Sequence, residues 1–193
     1  MTILIPYASL EAAPWKNGGG STIEIAVSPP GAGLGTFDWR ISLATIASSG
    51  PFSVFDGIDR TLALVDGPGV TLDIDNERFV LGDDEPVLEF AGESQVVATV
   101  GAQPTTDFNV MTRRERCSHQ LGKRSLSGQS GFATRADLTV LFLAEGDSLE
   151  VSSDDERIGM VRYDAVLFEG DATWTLEAGQ ATIFVVDIYF HED

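Results

Sequence analysis

Apolar and polar positions alternate with a period of two along most of the chain. Ile23, Ile25 and Val27 alternate with Thr22, Glu24 and Ala26, and Phe37, Trp39, Ile41 and Leu43 with Asp38, Arg40, Ser42 and Ala44. Val70, Leu72 and Ile74 alternate in the same way with Thr71, Asp73 and Asp75. A strand sends successive side chains to opposite faces, so each run predicts a half-buried β-strand. Further strands are predicted at Thr61–Val65, Val87–Phe90, Gln95–Val100, Asp107–Thr112, Leu138–Leu143, Ser148–Val151, Ala165–Phe168, Thr173–Leu176 and Thr182–Tyr189. Turn signals separate them: Ser-Pro-Pro-Gly at 28–31, Ser-Gly-Pro at 49–51, Asp-Gly-Pro-Gly at 66–69, Glu-Gly-Asp at 145–147 and 169–171, and Ala-Gly-Gln at 178–180. No stretch keeps an i, i+3, i+4, i+7 apolar stripe for more than two turns, so little helix is expected. Many short strands at this spacing predict an all-β sandwich or barrel.

Strand, glycine-rich turn and strand recur around residues 58–75 and 163–186, which predicts two β halves. Between them runs a polar, basic stretch, Arg113–Arg135, and the boundary is expected near residue 113. The halves are therefore about 1–112 and 113–193. No flexible linker marks the boundary, so they are expected to share an interface and behave as one unit.

Composition sharpens this only in part. With 193 residues and 43% hydrophobic content, the chain can bury one large core or two small ones, which excludes wholesale disorder. No run of about 18 apolar residues is present, so no helical membrane span is expected. The opening residues lack a basic segment followed by an apolar one, so no secretory signal is expected, and the single cysteine, Cys117, cannot form an internal disulfide. A soluble, cytoplasmic protein is the expectation. The formal net charge of −18 argues against a nucleic-acid partner. That acid is spread along the chain, since residues 1–100 carry 4 basic and 14 acidic groups and residues 101–193 carry 8 and 16. No acidic tail accounts for it.

Candidate chemistry falls in three places. Trp15-Lys16-Asn17-Gly18-Gly19-Gly20 precedes a strand, and its glycines permit positive φ and close backbone approach. With Lys16 beside them, the N–H groups of this loop would suit an anion, an ordinary loop being the alternative. Paired polar residues then interrupt apolar strands: Thr22 with Glu24, Arg40 with Ser42, and Asp107 with Asn109. They are either the wet side of a sheet or the lining of a barrel interior. Finally, Arg60 shares a parity with Ile58, Leu62 and Leu64, and an arginine on such a face needs a carboxylate or an anionic ligand. Glu24, Asp59 and Asp107 are the candidate internal partners. His119 and His191 are far apart and no Cys cluster exists, so neither a metal site nor a cofactor is expected. Cys117, in Arg-Glu-Arg-Cys-Ser-His, is read as inert, with activation by the neighbouring arginines as the alternative. The basic stretch lacks interleaved aromatics and is read as a solvated strand or an intramolecular partner for acidic loops.

At these residues the sequence resembles the HutD/Ves family. The matching blocks are Trp15-Lys16-Asn17-Gly18-Gly19-Gly20-x-Thr22-x-Glu24-Ile25, Phe37-x-Trp39-Arg40-x-Ser42-x-Ala44-x-Ile46, Gly50-Pro51-Phe52-Ser53-x-Phe55-x-Gly57-Ile58-Asp59-Arg60, and Asp107-Phe108-Asn109-x-Met111-Thr112-Arg113. They cover roughly the first 115 residues in order and spacing. Asp56 departs from the pattern, standing where the family would place proline. The resemblance implies a bicupin, two cupin-like β-barrel halves packed together. It also implies an association with histidine utilisation or stress response, with urocanate or N-formylglutamate as expected ligands.

The first functional expectation is a small-molecule binding, regulatory protein whose partner is a small organic acid. Lys16, Arg40 and Arg60 would supply positive charge, Asn17, Gly18, Gly19, Thr22, Ser42 and Asn109 hydrogen bonds, and Glu24 and Asp107 orienting carboxylates. The second is a metal-free isomerase, lyase or hydrolase using Glu24 or Asp107 as general base. The third is an interaction module without a ligand. No membrane partner is expected, and a homodimer is left open.

Overall fold

The computed structural model describes residues 1–83 and 86–192. The first ten residues hold β1 (Thr2–Ile5) and a 3-10 turn at Tyr7–Ser9. Then come β2 (Ala12–Pro14), β3 (Gly20–Ser28), β4 (Trp39–Ile46), β5 (Gly50–Pro51), β6 (Ile58–Asp66), β7 (Val70–Ile74), β8 (Glu77–Leu81), β9 (Val87–Ala91), β10 (Val96–Thr99) and β11 (Thr105–Arg113). β12 (Cys117–Thr134), β13 (Leu138–Glu145), β14 (Ser148–Ser152), β15 (Arg157–Val161), β16 (Ala165–Glu169) and β17 (Ala172–Phe190) complete the order. The architecture is all-β, as the alternation predicts.

Two units emerge, Glu11–Cys117 and a second made of Met1–Leu10 with Ser118–Asp193. The first ten residues group with the C-terminal residues rather than with Glu11–Cys117. β1 pairs antiparallel with β16, from Thr2 opposite Phe168 to Ile5 opposite Ala165. Its Thr-Ile-Leu-Ile run has no alternation, so the sequence gives no sign of that pairing.

In the N-terminal unit a six-stranded sheet, β2-β3-β4-β11-β6-β9, is accompanied by a four-stranded one, β5-β10-β7-β8. Alternation gives each sheet one inward face. Ile46, Leu62 and Leu88 of the first pack with Val70, Leu72, Ile74, Leu81, Val96 and Ala98 of the second. Fully burying a side chain of this kind stabilises the fold by about 1.5–3 kcal/mol before entropy is charged, so this cluster is the main source of the unit's stability.

The second unit has a seven-stranded sheet in the order β1-β16-β13-β17-β14-β15, with β12 pairing β17. Its core is wholly apolar and includes Phe132, Leu141, Phe168, Trp174, Leu176 and Ile183. One reading is corrected here. Ala-Gly-Gln at 178–180 is not a turn, because β17 runs through it from Ala172 to Phe190. Trp174, Leu176 and Ala178 face the core before it, and Ala181, Ile183 and Val185 after it, so the inward parity flips at Gly179–Gln180. Such a shift re-aims a strand without ending it. The basic stretch, meanwhile, becomes a largely exposed 18-residue strand, β12, in agreement with the solvated-strand reading.

Candidate functional site

Register arranges the polar residues of the six-stranded sheet in rows. Thr22 lies opposite Ala44, and Ala44 opposite Asp107. Glu24 is level with Ser42, and Ser42 with Asn109. Arg40 pairs with Met111, Met111 with Arg60, and Arg60 with Phe90. All of these sit on the inward-facing parity shared with Ile46 and Leu62. Asp107 is 1% exposed and Arg60 7%, while Ser42 and Asn109 are also buried. That burial excludes a wet face for Ser42, Arg60, Asp107 and Asn109, whereas Glu24 is exposed and Thr22 and Arg40 are half-buried.

Together they form the wall of a cavity of about 700 Å³ within the N-terminal unit. Lys16, Asn17, Thr22, Glu24, Arg40, Arg60, Asp107 and Asn109 line it, joined by Trp15, Phe52, Phe55 and Met111. Ser42, fully buried, is not among the lining residues. It accepts a hydrogen bond from Arg40 Nη1 at 3.3 Å, while Arg40 Nε donates to Glu24 Oε2 at 2.8 Å. Arg40 is thereby fixed between a hydroxyl and a carboxylate.

The glycine loop departs from its expected role. Gly18 and Gly19 are absent from the cavity wall, and their N–H groups are used inside the loop. Gly18 N donates to Trp15 O at 3.0 Å and Gly19 N to Asn17 Oδ1 at 2.9 Å. The Gly18 and Gly19 N–H groups are therefore not offered to an anion. The glycines instead serve a tight corner: Gly18 has φ +73°, and a Cβ on Gly20 would stand 2.2 Å from Thr45 O. The corner seats the Trp15 ring, whose Nε1 donates to Thr22 Oγ1 at 2.8 Å.

Arg60 is the unusual member. Its guanidinium carbon lies 5.3, 5.6 and 5.0 Å from the ring centres of Phe52, Phe55 and Phe90. Its polar partner is Asn109 Oδ1, reached from Nη2 at a long 3.5 Å. Of the candidate internal partners, Glu24 is taken by Arg40 and Asp59 by Arg114. Asp107 attracts Arg60 without forming a salt bridge with it. Burial is the main cause that lowers the Arg60 pKa to about 10; the Asp107 charge opposes this and the like charge of Arg40 adds to it. Desolvating an ion costs several kcal/mol, and a desolvated cation–π contact returns about 2 kcal/mol. Three rings thus offset much of the cost, and Nε keeps an unmet hydrogen bond among the described residues.

Asp107 shows the converse. Burial pushes its carboxyl up to about 7, against the pull of Arg60. The three phenylalanines and Met111 were not anticipated as site residues; Phe52 and Phe55 carry a faint signal as aromatics in a turn just before Arg60.

The remaining chemistry is quickly placed. Cys117 is buried, and desolvation raises its thiol to about 11, which excludes the activated alternative. The cavity wall carries no histidine or cysteine, and among the described residues no group of three His, Cys, Asp or Glu side chains is placed to hold a metal ion. The residues of this wall therefore do not fit the metal centre of a metal-dependent cupin.

Comparison with known proteins agrees with the architecture. A model of the HutD family matches residues 7–185. An uncharacterised 21.2 kDa protein from the hutC 3′ region of Pseudomonas putida is 37% identical over 163 residues, 82% of each chain. Protein Ves of Citrobacter koseri is 42% identical over 105 residues, 53% of each chain. The structure of HutD from Pseudomonas fluorescens SBW25, in a formate condition, superposes with a TM-score of 0.82 at 28% identity over 100% of both chains. The fold is a bicupin.

Proposed function

The chain belongs to the HutD family, and we propose that its N-terminal unit binds a small organic acid in the polar cavity and acts through that binding as a regulatory protein. One observation carries this reading: Arg60 is buried on the cavity wall with Nε unpartnered. A carboxylate is the group that best meets a guanidinium with donors to spare. Arg40, held rigidly one residue across from Met111, and Lys16 at the rim add positive charge to the same wall. Three cations against Glu24 and Asp107 give this cavity a sign opposite to that of the whole chain at −18. Phe52, Phe55 and Trp15 provide flat apolar surface for the body of the guest.

A cavity of about 700 Å³ is far larger than a formate ion and falls within the usual range for small-molecule sites. The Pseudomonas putida relative comes from a hutC 3′ region, which supports acids of histidine breakdown, urocanate or N-formylglutamate, as the guests. The test is thermal unfolding with urocanate, N-formylglutamate and formate, for the native chain, Arg60→Met and Arg40→Ala. A guest at a hundred times its Kd adds about 2.7 kcal/mol of stability. In a domain of this size that raises Tm by roughly 5–10 °C. The rise is expected in the native chain and cut to about half or less in Arg60→Met; no rise with any acid overturns the reading.

A further inference from the structure

Two buried polar atoms face one another's charge across this wall without a hydrogen-bond partner among the described residues: Arg60 Nε, a donor, and Asp107 Oδ1. A buried group left unpaired is costly, the more so when charged, so each places a demand on whatever enters. An acid guest meets the first demand and worsens the second. Its carboxylate accepts from Arg60 Nε, but an ionised Asp107 beside it would be a second anion in the same cavity. Two like charges within a few ångströms in a poorly solvated cavity repel strongly enough to cancel the arginine contact. A proton on Asp107 reverses the sign, because a neutral carboxyl is an O–H donor.

The charged groups that face Asp107 are Arg60 from β6, Arg40 from β4, Glu24 from β3 and Lys16 from the glycine loop. Arg40 is committed to Glu24, and Lys16 is exposed at the rim. Arg60 alone is left to steady an Asp107 anion, and a guest carboxylate competes for it. We propose that the cavity takes up its acid guest together with one proton from solvent, which settles on Asp107 and is donated in a hydrogen bond to the guest's carboxylate while Arg60 Nε donates to the same group. The inference rests on the acid-binding reading and adds to it a control by pH; no covalent bond forms. Burial already holds the Asp107 carboxyl at about 7, so the free protein is half-protonated near neutrality.

The measurement is calorimetric titration of the full chain with N-formylglutamate and with formate at pH 6, 8 and 9, in buffers of contrasting ionisation heat. Ordinary carboxyl groups titrate near 4, so any pH dependence above 6 belongs to the protein. Affinity should fall roughly ninety-fold between pH 6 and 9, following the protonated fraction of Asp107. Close to one proton should enter per guest at pH 8. Asp107→Asn, which cannot ionise, should bind with no proton uptake and with a flat pH profile. Binding without uptake, or a pH slope that survives in Asp107→Asn, overturns this proposal and leaves acid binding standing. No binding at any pH overturns both. If Asp107→Asn does not fold, the proton count of the native chain decides alone.

Discussion

Arg40 and Arg60 occupy neighbouring strands on either side of Met111, and each is its direct cross-strand partner. Equivalent backbone positions nevertheless give them different surroundings. Arg40 is tied to Glu24 and Ser42, whereas Arg60 sits among three phenylalanine rings. Arg40 therefore forms a fixed positive edge, and Arg60 holds unused hydrogen-bonding capacity. Replacing one does not mimic replacing the other.

Arg60→Met separates binding from folding. Methionine fills a similar volume among Phe52, Phe55 and Phe90 and removes a desolvated charge, so the unfolding midpoint should stay level or rise. Acid binding should weaken by ten- to a hundred-fold, the worth of a charge-assisted hydrogen bond of about 1.5–3 kcal/mol. Parallel urea unfolding and ligand titration check both halves. A large fall in stability would show that Arg60 is structural.

Stability should depend on pH in two opposite windows. Asp107 holds its proton up to about 7 in the folded chain, against 3.8 ordinarily. The folded state thus binds more protons between those values, and stability falls as pH rises from about 3.8 to about 7, then levels. Glu93 acts in the other sense. Hydrogen bonds from Arg114 hold it at about 2, so its contribution is present above 4.5 and is lost as pH falls from there. Urea midpoints from pH 3 to 9 test this, and Asp107→Asn should abolish only the neutral-side decline.

Much of this arrangement was legible beforehand. The alternation in β3, β4 and β11 put Glu24, Arg40, Ser42, Asp107 and Asn109 on defined faces, and the parity of β6 marked Arg60 as an anomaly. Sequence could not say which face was dry, because that depends on pairing between strands distant in the chain. The glycine loop misled for a local reason: its N–H groups find acceptors within the loop, on Trp15 O and Asn17 Oδ1. Register also decided which neighbour of Arg60 was already occupied.

Gly20→Ala should be the more damaging glycine substitution. Its Cβ would lie 2.2 Å from the Thr45 carbonyl, so β3 and β4 must move apart. Overpacking of this kind costs about 1–3 kcal/mol. Gly18→Ala meets no atom within 4 Å and bears only the strain of φ +73°, about 1 kcal/mol. Chemical denaturation of the two variants should reproduce that order. Trp15 fluorescence should shift in Gly20→Ala, since the ring lies 3.0 Å from the added carbon.

Arg114 braces the cavity from outside it. It pairs with Asp59 at 2.7 Å and with Glu93 at 3.0 Å, and Glu93 accepts from Gly57 N at 2.9 Å. All three side chains are partly exposed and screened by solvent, so Arg114→Ala should change global stability little. Its clearer effect should be local. Hydrogen exchange at Gly57 should quicken, and the turn that carries Phe52 and Phe55 should lose order with it. Unchanged exchange at Gly57 would show that the brace is idle.

The pairing of β1 with β16 has a consequence for synthesis. Residues 2–5 are made well before residues 165–168 and must wait for them before they find their place, while Glu11–Cys117 can close in the meantime. A tag fused ahead of Met1 would therefore disturb the late-forming unit and spare the early one that holds the cavity.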